Sequence, residues 1–258
     1  MDTLNRAIAG DVRSAISAMF RNEWTKQSKR RKIWIFAGIV ALVPLALAVL
    51  QRVLLPGQAI LAREDLLTTA LHLLAPLVLP LMAAALAIDA FTDEIAKGSI
   101  RTTLFLPAGR ATVYWAKALA VLAGSAVSIG AMWGMTLITG FFLPGRNPLI
   151  QWVGADLASF LAALAPAAMV IAAVLALSQW LKSAGGILVT LVLGSVVLNL
   201  LPFLVEGIGP ILPTTWLGYG ASAGTMAPTG LLSAFTVLAA WTTLFSMSGW
   251  LRFEKRAF

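Results

Sequence analysis

With 258 residues, 59% of them hydrophobic and only 12% charged, and a mean hydropathy of +0.88, the chain lies far outside the composition of a soluble domain. The absence of cysteine excludes disulfides and thiolate metal sites, and a single histidine, His72, cannot build a metal cluster. The formal net charge of +8 requires no nucleic acid, because topology and anionic lipid headgroups account for it.

At the start of the chain, Leu4, Ile8, Val12, Ala15, Ile16, Met19 and Phe20 recur at spacings of three and four, one apolar stripe on a helix. Arg6, Asp11 and Arg13 lie off that stripe. Such a basic amphipathic helix is expected to lie along the inner membrane surface. The first apolar run begins only at Ile33 and is long enough to span, so nothing here reads as a cleaved signal. Between them, Arg30, Arg31 and Lys32 are expected to anchor the first span at the headgroups, and the plainer reading gives residues 1–32 no role beyond anchoring.

Crossing a hydrocarbon core of ~30 Å takes about 20 apolar residues. Six runs meet that requirement: Ile33–Leu55, Thr69–Phe91, Ala118–Leu143, Val153–Leu177, Gly186–Val205 and Thr229–Trp250. Sixteen of the nineteen Lys and Arg fall before span one, between spans two and three, between four and five, or after span six. Only Arg52, Arg63 and Arg146 fall on the other side, which predicts cytoplasmic N- and C-termini. The spans themselves hold little polar chemistry. Asp89 and Asp156 lie near span ends and Asn199 is the main amide, so nothing resembles the buried carboxylate of an ion-coupled carrier.

Between spans two and three, Phe91 to Lys117 carries six charges and a Pro-Ala-Gly break. Thr92 could cap a short helix with Asp93 and Glu94 in its first turn, ended by Pro107 and Gly109. A mere connection could be far shorter, which suggests a docking surface for another protein. A solvated loop with ordinary inside charges is the alternative.

Here the pattern Glu94, Gly98, Ser99, Ile100, Arg101, Leu104, Leu106, Pro107, Arg110 and Lys117 resembles the permease subunits of type-2 ABC transporters. The basic entry Arg21 to Trp34, with Asn22 and Glu23 ahead of the first span, is similar to that family too. The resemblance implies that the elbow is a coupling helix seated in a separate ATPase subunit. Glu94, Gly98, Arg101, Pro107 and Arg110 would then form the transmission surface. Arg101 and Arg110 would pair with acidic groups of that subunit, and Gly98 would allow close approach. It also implies two permeases, identical or sister copies, with two ATPases that bind ATP and Mg2+, in the inner membrane of a bacterium. This chain offers no P-loop, since Lys182-Ser183 follows Leu181 where a Gly is needed, so it is expected not to be an enzyme by itself.

Residues 206–228, between spans five and six, are apolar yet crowded with Gly and Pro. Irregular backbone at membrane depth survives only when buried in protein or lining a cavity, so a re-entrant element is expected, with an external loop as the alternative. In the related permeases this region belongs to the outer gate, and spans two and five line the path. Asn199, Pro202, Pro213, Trp216 and Tyr219 are therefore the candidates for gate and path. The apolar path implies an amphiphilic or hydrophobic substrate moving outward.

Three other readings are weighed against this one. Gly220 to Gly224 resembles a rhomboid nucleophile motif around Ser222, but Ala223 replaces a required Gly and the only histidine lies far upstream. A secondary carrier would predict two related halves, and residues 33–143 and 153–250 show no such similarity. A non-transporting membrane scaffold is the third. The expectation is an all-α membrane protein: a segment 1–32, a six-span domain 33–250 and a tail 251–258.

Overall fold

The computed structural model of the chain describes residues 16–54, 61–96, 109–181, 183–224 and 226–255. Among them every regular element is helical: α1 (16–28), α2 (Arg31–Leu54), α3 (Arg63–Leu74), α4 (Val78–Ala96), α5 (Arg110–Gly140), α6 (Leu149–Leu177), α7 (Ala184–Leu204), α8 (Tyr219–Ser222) and α9 (Pro228–Lys255). Helices α2, α5, α6, α7 and α9 are each long and apolar enough to cross a membrane. The pair α3 and α4 passes the same test together, but with a 61° bend between its halves.

That bend corrects the continuous second span expected over Thr69–Phe91. Ala75 still donates to the Leu71 carbonyl at 2.7 Å, but Pro76 has no N–H with which to continue the ladder. Regular helix resumes at Val78, which puts Pro80 in the first turn, where its missing donor costs nothing. A second correction concerns Thr92. It lies inside α4, which runs unbroken to Ala96, so it caps no new helix, and its buried hydroxyl has no partner. Nothing between Ala90 and Ile95 interrupts a helix, and the acids simply follow the apolar run.

The helices pack as antiparallel neighbours with two ends. At one end stand α1, the start of α2, the end of α4, the start of α5, and the ends of α6 and α9. There Phe91, Tyr114 and Phe253 meet edge to face or tilted, at centroid distances of 5.5–6.1 Å. Gly249 makes that contact possible, since a Cβ there would lie 2.6 Å from the Tyr114 hydroxyl and 3.1 Å from the Ala176 backbone. The core continues along α6, whose C-terminal half, Met169 to Ala176, is wholly buried. By contrast α7 buries only Ile187 and turns Val189, Leu193, Val197, Leu200 and Phe203 outward. Such faces suit lipid or a neighbouring subunit, because a helix satisfies its own backbone groups there.

The opposite end is closed by α3 and the loop between α5 and α6. Arg63 N–H donates to the Pro144 carbonyl at 3.0 Å. Glu64 accepts from the backbone of Arg146 and Asn147, both at 2.8 Å. The Arg63 guanidinium lies 5.2 Å from the centre of the buried Trp152 ring, and Arg146 pairs with Asp65. Residues 205–224 then form two 3-10 turns, Gly209–Ile211 and Pro213–Trp216, followed by α8. Gly220 of α8 sits where a Cβ would approach the Ala163 backbone to 2.8 Å, near the midpoint of α6. The irregular segment thus folds back against protein, the condition that backbone at membrane depth requires.

Candidate coupling end and membrane cavity

Lys117, fully buried on α5, donates to Glu23 Oε2 of α1 at 2.7 Å and to Glu94 Oε2 of α4 at 2.6 Å. Lys26 of α1 closes the group, 2.7 Å from Glu23 Oε1 and 3.8 Å from Glu94 Oε1. Burial pushes the Glu23 carboxyl up, but Lys117 and then Lys26 outweigh it and hold its pKa below the ordinary value. The helical period puts this face inward: Met19, Glu23 and Gln27 recur every fourth residue and all three are buried. Met19 packs on Val113 and Ala116 of α5. A helix expected to float on the membrane surface is, over its described residues, tied to α4 and α5 by a buried charge cluster.

The cluster straddles residues 97–108. Glu94 precedes that segment by three positions, and Arg110, two positions after it, donates to the Glu254 carbonyl of α9 at 2.9 Å. Gly98, Arg101 and Pro107 lie outside the described residues. Of the five expected coupling residues, Glu94 therefore turns inward to Lys117 rather than outward, and Arg110 braces α5 against α9. The expected membrane anchors also find protein partners. Lys32 lies 2.8 Å and Arg30 3.5 Å from the buried Asp89 carboxylate, while Arg31 is exposed.

A second feature lies between α7 and the rest of the bundle: a cavity of about 420 Å3. Its walls are the α3–α4 break (Pro76, Pro80), α6 (Met169, Ala173), α7 (Thr190, Ser195), Pro213 with Thr214, and α9 (Phe245, Ser248). The size falls within the ~300–1,000 Å3 typical of ligand pockets. Ser195 and Ser248 satisfy their hydroxyls on carbonyls of their own helices, whereas the buried Thr214 hydroxyl has no partner among the described residues.

The expected gate and path residues do not gather at this cavity. Pro213 lines it. Trp216 donates to the Pro210 carbonyl at 2.9 Å and Tyr219 to the Leu231 carbonyl at 3.1 Å, so both hold the folded-back segment in place. Asn199 is exposed on α7 and donates to the Ser195 carbonyl at 2.8 Å, and Pro202 is exposed beside Gly209. Sequence reasoning missed the pairing of Lys117 with Glu23 and of Asp89 with Arg30 and Lys32. The available signal was Arg30, Lys32, Asp89 and Lys117, set at the ends of apolar runs, where an unpaired charge is costly.

These features define a class: an all-helical, multi-pass membrane protein with a charge cluster at one end and a segment folded back into its interior. The profile of the ABC-2 family transporter proteins matches residues 19–196, from α1 into α7, and the chain belongs to that family of ABC transporter permeases. Membership implies association with an ABC ATPase. No curated protein matches the chain.

Proposed function

We propose that the chain is the transmembrane half of an ATP-driven exporter that moves an amphiphilic or hydrophobic substrate outward. A separate ATPase subunit docks on residues 91–117. The observation that carries this reading is the buried Glu23–Lys117–Glu94 cluster, which grips both flanks of that segment and α1 together. A docking surface transmits movement only if its mount is stiff. A charge cluster removed from water fixes three helix ends in one geometry, since any separation exposes unpaired buried charge.

ATP and Mg2+ belong to the partner, and the chain itself contributes no hydrolytic step. Two permease copies and two ATPases complete the pathway. ATP-driven approach of the ATPases pushes the elbow, and α4 carries the displacement from Glu94 to the break at Pro76. The mainly apolar cavity beside that break supports an apolar or amphiphilic cargo over a hydrated ion, since no charged residue is among those that line it.

The test is purification of the detergent-solubilised chain from its native membrane, with mass spectrometry of what accompanies it. An ATPase with a P-loop, lost on Arg101→Glu with Arg110→Glu while the permease stays monodisperse, is the expected result. Absence of any ATPase from several mild detergents overturns the reading.

A further inference from the structure

A cation lies beside one end of the cavity, on a residue that lines it. Trp180, which lines it just beyond α6, is stacked under the Arg252 guanidinium of α9, 4.7 Å from ring centre to Cζ. Both side chains are exposed, and no carboxylate pairs with Arg252 among the described residues. Stacking on indole holds the guanidinium flat and leaves its N–H edge available to an anion. From that cation the walls turn apolar, along Leu177, Ala173 and Met169 of α6 and Leu191 and Leu198 of α7. The outer wall is α7, which faces lipid or a subunit rather than a packed core.

We propose that this cavity binds an anionic amphiphile, with one acyl chain in the apolar space behind α7 and an oxyanion headgroup, carboxylate or phosphate, on Arg252. The proposal rests on the exporter reading and narrows its substrate class. Charge and shape argue for it together. An apolar cavity gains nothing from water but does gain from hydrocarbon. A Trp–Arg pair at a helix end is suited to the headgroup level, with its apolar body in the bilayer and its charge at the interface. The headgroup supplies the counter-charge that no carboxylate among the described residues gives Arg252, and the Thr214 hydroxyl, without a partner among those residues, offers a hydrogen bond at the folded-back end.

The probe is a sixteen-carbon fatty acid with a terminal diazirine, photolysed with the purified permease and its co-purifying ATPase, and the adducts mapped by mass spectrometry. The expected adducts fall on cavity-lining residues of α6 and α7. Arg252→Glu lowers them about tenfold, the effect of losing one charge-assisted contact, and unlabelled palmitate competes where hexadecanol does not. Gly194→Phe, placed where a Cβ would meet nothing within 4 Å, fills the space and abolishes them without disturbing a packed contact.

Adducts scattered over lipid-facing residues, or unchanged in Gly194→Phe, overturn the site. Equal competition by hexadecanol overturns its anionic character. ATP with Mg2+ separates the two sources of the ligand. Adducts lost during turnover identify cargo, and adducts retained identify a resident bilayer lipid, both on the same site. Co-purification of the ATPase is scored separately, so loss of the exporter reading and loss of the site give different results.

Discussion

Lys117→Met tests the cluster that mounts the coupling end. The wild-type ammonium is fully buried, and its partners Glu23 and Glu94 are 3% and 12% exposed at the side chain. Removing it leaves two carboxylates facing each other out of water, a change that costs about 3–5 kcal/mol in buried pairs. Lys26 remains beside both and is itself 38% exposed, so the loss falls at the low end, about 3 kcal/mol. At roughly 2–4 °C per kcal/mol for a chain of this size, the melting temperature drops by about 6–12 °C. Intrinsic Trp fluorescence of the detergent-solubilised protein reads this directly. Adding Glu23→Gln and Glu94→Gln removes the stranded charges and recovers most of the loss. The reasoning is refuted if Lys117→Met melts within about 2 °C of the parent, or if the triple variant melts below the single one.

The Glu23 pKa, held below its unfolded value, gives a stability contribution that is present above the ordinary carboxylate range and lost as pH falls through the folded value. Melting temperature is therefore expected to hold steady from neutral pH down to the carboxylate range and then fall, with a shallower fall in Glu23→Gln. Asp89→Asn should cost far less than Lys117→Met, about 1 kcal/mol or under, because Arg30 and Lys32 are 30% and 56% exposed and revert to solvent or headgroups. Equal losses in the two variants count against the burial argument. Gly220→Val drives a side chain into the Ala163 backbone and should release α8, read as increased maleimide labelling of Ala221→Cys, a position buried in the parent. The chain has no cysteine of its own, so single-cysteine labelling also tests orientation. An impermeant maleimide should modify Asn147→Cys in intact cells and Ser28→Cys only after permeabilisation, and the reverse pattern inverts the topology.

Much of the fold was legible before any coordinates. Each apolar run must satisfy its own backbone hydrogen bonds in hydrocarbon, so span existence is written locally, residue by residue. Expected and observed limits agree closely for α2, α6 and α7. The start of α5 differs from the expected one because Arg110, Tyr114 and Lys117 look like loop residues, and the burial of Tyr114 and Lys117 against Phe91, Phe253 and Glu23 is what makes them helix. The break at Pro76 was visible as two prolines, but whether they kink a span or interrupt it depends on packing around Ala75 and Leu79. For the candidate site, the sequence marked Glu94 and Arg110 as special without showing that Glu94 faces inward to Lys117 and that Arg110 reaches the Glu254 carbonyl.

Composition and hydropathy alone determined that this chain crosses a membrane several times, that its Lys and Arg cluster between alternate apolar runs, and that it has no cysteine and one histidine. Those are sums and periodicities over neighbouring residues. The meeting of Glu23, Glu94 and Lys117, the seating of Asp89 between Arg30 and Lys32, and the cavity between α7 and the rest of the bundle were decided only by the tertiary structure. Each depends on which helix faces fall together, and helices packed among apolar neighbours are positioned by close contacts such as Gly249 on Tyr114 and Gly220 on Ala163. The charge is local information, and its partner is a property of the packing.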